Sequence, residues 1–217
     1  MSAICLPPSI ENVARAASDL GEGGLAILPT DTVYGVCADI RRADTVASIY
    51  VAKGKAFGAP LQLLFAGREQ LEDFAELSKS ASLLVEALGF GGWTIITPAR
   101  PGWDSPALAG GRTVGFRLPD APLLRQVIEA VGAPLAASSA NRHGAPSPLT
   151  CAEAVSQVGE FCAVALDGGP TIAGIDSTVI DCSDDAVRIL REGAIDRLTI
   201  ARILGVRDIP VLRSVRT

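Results

Sequence analysis

The apolar positions of this chain change their period along its length. Ile10, Val13, Ala14, Ala17 and Leu20 recur at helical spacing and predict a helix ended by the Gly21–Gly24 region. Leu25–Pro29 is then a short unbroken apolar run, as a strand buried on both faces would be. Val46, Ile49 and Tyr50 restore the helical period over Asp44–Ala52, and Leu61–Phe65 reads as another buried strand. Arg68–Leu77 and Ser80–Leu88 read as two helices, with Leu83, Leu84, Ala87 and Leu88 apolar in the second. Phe90-Gly91-Gly92 breaks the chain before a strand at Trp93–Thr97. The segment 98–112 is rich in proline and glycine and predicts a loop. Thr113–Leu118 alternates as a strand, and Leu123, Leu124, Val127, Ile128 and Val131 form a helical stripe. Pro134–Ser138 is a short strand and Ala152–Val158 a helix. Strands follow at Cys162–Leu166, Thr178–Asp181 and Val187–Leu190, and Leu198–Leu204 is a closing helix. No repeat or low-complexity linker divides the chain. The alternation predicts an α/β architecture with a mixed sheet in a single domain, 1–217, its core at about 10–205.

Composition narrows the function classes. With 48% hydrophobic residues in 217, the chain can bury a substantial core. A formal charge of −5 argues against a protein that coats nucleic acid through a basic face, though a local basic cavity stays open. No apolar run reaches 18 residues, so no membrane partner is expected. Met1–Pro8 lacks the pattern of a secretory signal. Five scattered cysteines without a Cys-x-x-Cys suggest neither a disulfide framework nor a zinc site, and point to a reducing cytoplasm.

Four stretches carry candidate chemistry. The strand at Leu25–Pro29 ends abruptly in Thr30, Asp31 and Thr32, as a strand does where its carboxyl end opens into a site. Two of the three lysines, Lys53 and Lys55, stand two residues apart between glycines. They fit either a solvated helix end or a site where an anion relieves their repulsion. Ser138-Ser139-Ala140-Asn141, followed by Pro146-Ser147-Pro148, reads as a turn or as a place where backbone N–H groups approach an anion. Arg117 is the single charge in an apolar strand, and needs an internal acid or a ligand carboxylate. The fourth stretch pairs Gly174-Ile-Asp-Ser-Thr-Val179 with Ile189-Leu-Arg-Glu-Gly-Ala-Ile195. His143, the only histidine, lies in a loop without a partner that would make it catalytic.

Taken in order, these stretches resemble the YrdC/Sua5 family of threonylcarbamoyl-adenylate synthases. Pro29-Thr-Asp-Thr-Val-Tyr-Gly35 matches the family turn. Lys53-Gly-Lys55 matches its Lys-x-Arg except that Lys55 replaces arginine. Ser139-Ala-Asn141, Pro146-Ser-Pro148, Thr113–Pro119 and the two later segments follow. The resemblance runs from about Leu25 to Ile195 and is to the compact YrdC type, without the C-terminal domain of Sua5. It implies a twisted open mixed sheet with flanking helices around a concave cavity. It assigns Lys53 and Lys55 to catalysis at the triphosphate, and Thr113, Ser139, Asn141, Ser147 and Arg191 to the nucleotide. Thr30, Arg117, Ala137 and Ser177 go to threonine. Departures are Lys55, Leu64 at a position where the pattern often has histidine, Glu192 for proline, and a reduced Gly89–Thr94 element.

The implied activity joins L-threonine, bicarbonate and ATP into threonylcarbamoyl-AMP and pyrophosphate, for the modification of adenosine 37 in tRNA. Mg2+ would arrive on ATP, with no metal site of the chain's own. Partners would be a transfer protein of that pathway and a tRNA or other RNA contact. Two rivals stay open: an RNA-binding or ribosome-assembly module, and a carbamoyl-adenylate enzyme for another substrate.

Overall fold

In the computed structural model, which describes residues 2–171 and 173–212, ten strands form one mixed sheet. The first half contributes β1 (Cys5–Leu6), β2 (Leu25–Pro29), β3 (Tyr34–Asp39), β4 (Gln62–Leu64) and β5 (Trp93–Pro98). The second contributes β6 (Thr113–Arg117), β7 (Leu135–Ser139), β8 (Cys162–Leu166), β9 (Thr178–Asp181) and β10 (Arg188–Arg191). Their spatial order is β1-β8-β2-β3-β7-β4-β6-β5-β9-β10. The pairs β1–β8, β2–β8, β4–β6 and β5–β9 are parallel and the rest antiparallel, which is the expected fold class. Six α-helices flank the sheet: α1 (Ile10–Gly21), α2 (Ala43–Ala52), α3 (Lys79–Leu88), α4 (Pro122–Val131), α5 (Cys151–Val158) and α6 (Arg197–Leu204). Among the described residues no helix is long and apolar enough to cross a membrane.

Strand alternation divides the core between the two faces. Leu25 and Ile27 join one cluster with Val46 and Ile49 of α2, Leu84 of α3, Ala154 of α5 and Ile200 of α6. Ala26 and Leu28 turn the other way and join Leu20 of α1 with Leu124, Val127 and Ile128 of α4. That second face is only partly covered. Helices α1 and α4 close over Cys37, Leu64, Leu135 and Val164, and the same face continues past them across β4, β6, β5 and β9 without a helix above it. The uncovered part is the floor of the cavity described below.

The helix ends are set locally. Ser9 accepts from the Asn12 N–H at the start of α1, and Thr150 with Glu153 forms a reciprocal capping box on α5. Pro122 opens α4 and Gly132 closes it at φ 71°.

Four expectations change. Ile10 is 92% exposed and Ala14 is exposed, so the buried stripe of α1 is Val13, Ala16, Ala17 and Leu20. Ile10 is the first helical residue and overhangs the core. Arg68–Leu77 is not an α-helix but a 3-10 turn over Arg68–Asp73, where only Leu71 is buried. The next backbone, Ala75 and Glu76, pairs with Ala99 and Pro98 instead. Tyr34–Asp39, read only as part of a motif, is a strand buried at every position. The 98–112 loop is pinned by a 3-10 turn, Pro106–Leu108, whose Ala107 carbonyl accepts from the Leu61 N–H.

One close approach ties the last strands to the cavity. Thr178 Oγ1 donates to the Ile195 carbonyl and accepts from the N–H groups of Gly193 and Ile195, so the 193–195 turn lies directly on Asp176–Ser177. A Cβ on Gly193 would collide with the Asp176 carbonyl oxygen and lie 2.6 Å from the Ser177 carbonyl carbon. Gly193→Ala is expected to lower stability by about 1–3 kcal/mol, because backbone, not a flexible side chain, must move. Urea denaturation of the two proteins checks this, and an unchanged midpoint would contradict it.

Candidate active site

The cavity, about 290 Å³, opens on the uncovered face. Strand register arranges its floor in three rows. In one, Leu64 of β4 is opposite Arg117 of β6, and Thr94 of β5 lies beside Arg117, one residue before the Ile95–Phe116 pair. In the middle row Gln62 has Ala137 on one side and Gly115 on the other, with Ile96 beyond. In the third, Ser139 is opposite Gly35, and Thr113 is opposite Pro98.

The first row is built around a buried cation. Arg117 is 2% exposed, and its guanidinium donates to Asp31 Oδ1 at 2.5 Å, Thr32 Oγ1 at 2.8 Å and the Gly91 carbonyl at 3.0 Å. Burial holds its pKa below the ordinary value, against the opposing pull of Asp31. The acid that the sequence required is therefore the middle residue of Thr30-Asp31-Thr32. Thr30 keeps that turn in shape: its hydroxyl donates to the Val33 carbonyl and accepts from the N–H groups of Thr32 and Val33. At the far side Arg191 donates to the Ser177 carbonyl and Oγ, and its other nitrogen lies 3.5 Å from Asp176. Ser177 Oγ is 2.9 Å from Thr94 Oγ1, which donates to Gln62 Oε1 at 3.1 Å.

The third row is held from behind by a lysine. Lys53, at the end of α2, is 7% exposed, and its ammonium donates to the carbonyls of Ser139 (2.5 Å) and Asn141 (2.8 Å), with both side-chain oxygens 3.3 Å away. The Lys53 carbonyl accepts from the His143 N–H. Burial, and then the neighbouring Lys55, push the Lys53 pKa down to about 8. Tyr34 stitches the same region to the motif turn. Its N–H donates to the Pro148 carbonyl and its carbonyl accepts from the Ala140 N–H.

Seven of the residues that the family resemblance assigned to the site line the cavity: Thr30, Thr113, Arg117, Ala137, Ser139, Ser177 and Arg191. Lys53, Lys55, Asn141 and Ser147 are not among its lining residues. Lys53 and Asn141 contact Ser139 or its turn, Lys55 is half-buried two residues on, and Ser147 Oγ is 3.5 Å from Asp176, which does line it. His143 is exposed. Sequence reasoning did not single out Gln62, Thr94 or Asp176. Gln62 had a visible signal, being the one polar residue in an apolar run. Leu64 lines the cavity and also packs under α4, so that position is apolar on both sides. Among the described residues no three His, Cys, Asp or Glu side chains group as a metal site.

Comparison with known proteins places this geometry. The Sua5/YciO/YrdC family profile, described as telomere recombination, matches residues 18–193. A Bacillus subtilis threonylcarbamoyl-AMP synthase is 38% identical over 195 residues, which cover 89% of this chain but 56% of that protein. The chain thus spans little more than half of that relative. A Mycobacterium tuberculosis relative is 34% identical over 197 residues, 89% of each chain. Among solved structures, Pyrococcus abyssi Sua5 complexed with L-threonine superposes with a TM-score of 0.91 at 31% identity, covering 98% of this chain and 63% of that one. Escherichia coli YciO shares the fold, with a TM-score of 0.81 at 23% identity over 90% of this chain and 98% of that one. With a profile match across most of its length, a cavity built from the motif residues and the same sheet, the chain belongs to the Sua5/YciO/YrdC family.

Proposed function

We propose that this chain is a threonylcarbamoyl-AMP synthase, a nucleotidyltransferase that joins L-threonine, bicarbonate and ATP and releases pyrophosphate. The observation that carries the reading is the two-ended cavity on one sheet face. A buried guanidinium with hydroxyls (Arg117, Thr94, Ser177) stands at one end, and a lysine-clamped serine turn (Ser139, with Thr113 facing it) at the other. Three of the five guanidinium N–H groups of Arg117 are engaged, which leaves two for a carboxylate. That the P. abyssi relative is described as a complex with L-threonine supports threonine as the amino acid. Small side chains around Ser139, with its hydroxyl on the cavity and the Lys53 ammonium behind it, suit a phosphate.

The chemistry then asks little acid–base work of the protein. Bicarbonate and the neutral amine of threonine give an N-carboxylate and water. Its oxygen attacks the α-phosphorus of ATP, and pyrophosphate leaves with the electron pair. Holding the two substrates in line supplies up to about 7–11 kcal/mol of the barrier. Mg2+ enters as part of the ATP substrate. Lys53 acts on the phosphates through the turn it clamps, with Lys55 adding charge and Asn141, Ser147 and Arg191 completing the nucleotide end. The product would serve tRNA modification in the cytoplasm, handed to a transfer partner.

Two outcomes test this. Lys53→Met is expected to cut threonine- and bicarbonate-dependent ATP–pyrophosphate exchange on the order of 100-fold, with the far-UV spectrum retained; undiminished exchange would contradict the role of Lys53. The second uses pH. The folded Lys53 loses its proton through about 8, against an ordinary value of 10.5. Below about 8 both folded and unfolded chains hold that proton, so neither property changes. Between about 8 and 10.5 only the unfolded chain holds it, so this group makes folding more favourable as pH rises. Over the same range the clamp loses a donor, and ATP affinity is expected to fall by up to about ten-fold per unit. Calorimetric titration of ATP from pH 7 to 9.5, beside Lys53→Met, checks it; an affinity flat with pH in the unmodified protein would refute it.

A further inference from the structure

Gln62 is the tallest side chain in the middle row of the cavity floor, because its register neighbours are Ala137 and Gly115. Its amide oxygen faces Thr94, at the end of a chain of hydrogen bonds. Arg191 can only donate, so Ser177 Oγ accepts from it. With the single Thr94 proton on Gln62 Oε1, Ser177 is the donor in its contact with Thr94. The chain begins at a guanidinium and each bond polarises the next. It ends with the Gln62 Nε2 group, two N–H donors for which the described residues supply no acceptor.

Residues on one face of a strand repeat at about 7 Å, so this amide stands roughly that far from the Arg117 row on one side and the Thr113 row on the other. We propose that Gln62 binds the carboxylate that bicarbonate places on the substrate amine, and holds it between the amino acid and the α-phosphate. This rests on the synthase reading above. The ligand class follows from the donor set: N–H groups with no acceptor of their own suit an anionic oxygen, and a neutral amide holds that oxygen without quenching its charge. The N-carboxylate oxygen then forms the bond to the α-phosphorus as the α–β phosphoanhydride P–O bond breaks.

Two variants test the assignment. Gln62→Glu keeps the oxygen that accepts from Thr94 but removes the donors; Gln62→Met removes both. Initial rates of pyrophosphate release are measured with bicarbonate varied and threonine and ATP saturating, and threonine affinity is measured by calorimetry without bicarbonate. In both variants the bicarbonate KM is expected to rise about 10- to 100-fold, the effect of losing a hydrogen bond to a charged group; threonine affinity is expected to be unchanged in Gln62→Glu and to fall by less than the bicarbonate effect in Gln62→Met, which also takes the acceptor from Thr94. A Gln62→Glu enzyme with an unaltered bicarbonate KM would overturn the proposal, since a role confined to supporting Thr94 spares that variant. Equal losses of threonine and bicarbonate affinity would also overturn it. If the unmodified protein releases no pyrophosphate with all three substrates, the synthase reading falls, and this inference with it.

Discussion

A guanidinium inside an apolar sheet has to be answered by the rest of the fold. Arg117 is answered by two segments distant in sequence: the Asp31–Thr32 turn and the Gly91 break. Removing one partner of such a buried pair typically costs about 3–5 kcal/mol, because the other charge is stranded. The pair therefore fixes where the hairpin between β2 and β3 sits relative to β6, and so fixes the shape of one end of the cavity. An arginine that served only stability would be replaceable by a well-packed apolar residue. This one also lines the hollow, with N–H capacity left over.

The opposite end follows the same logic with a different cation. Lys53 is buried against carbonyl oxygens, not a carboxylate, and the partners it chooses belong to the turn that presents Ser139. The lysine pair flagged in the sequence thus separates into two roles. One ammonium is turned inward to hold a loop, and the other stays half-exposed two residues later. Asp176 and Arg191 connect this end back to Ser177, and Ser147 reaches toward the same carboxylate. The polar residues form a belt around the cavity, and the apolar Leu64, Ile96 and Val179 line it between them.

Much of this was legible in the chain. The α2 stripe, the run at Leu25–Pro29 and the stripe of α4 appear where their periods place them, since each is long and apolar enough to override local preference. Tyr34–Asp39 was not legible as a strand. It is buried on both faces and follows a four-residue turn, so neither alternation nor length marks it. The 68–77 segment failed because its backbone found sheet partners at Pro98 and Ala99, a contact no local pattern encodes. At the site, Arg117 announced that it needed an acid, but only the fold names Asp31. Gln62 was marked as the one polar residue in an apolar run, whereas Thr94 and Asp176 became visible only when register brought strands and a loop side by side.

The proposed synthase needs one cavity to hold a nucleotide at the Ser139 end and a small amino acid at the Arg117 end. A crystal structure with threonine, bicarbonate and a non-hydrolysable ATP analogue tests that most directly. The threonine carboxylate is expected at about 2.7–2.9 Å from the Arg117 guanidinium, with the phosphates over the Ser139–Asn141 turn in the same hollow. Either ligand on another face of the sheet, or threonine bound away from Arg117, would contradict it.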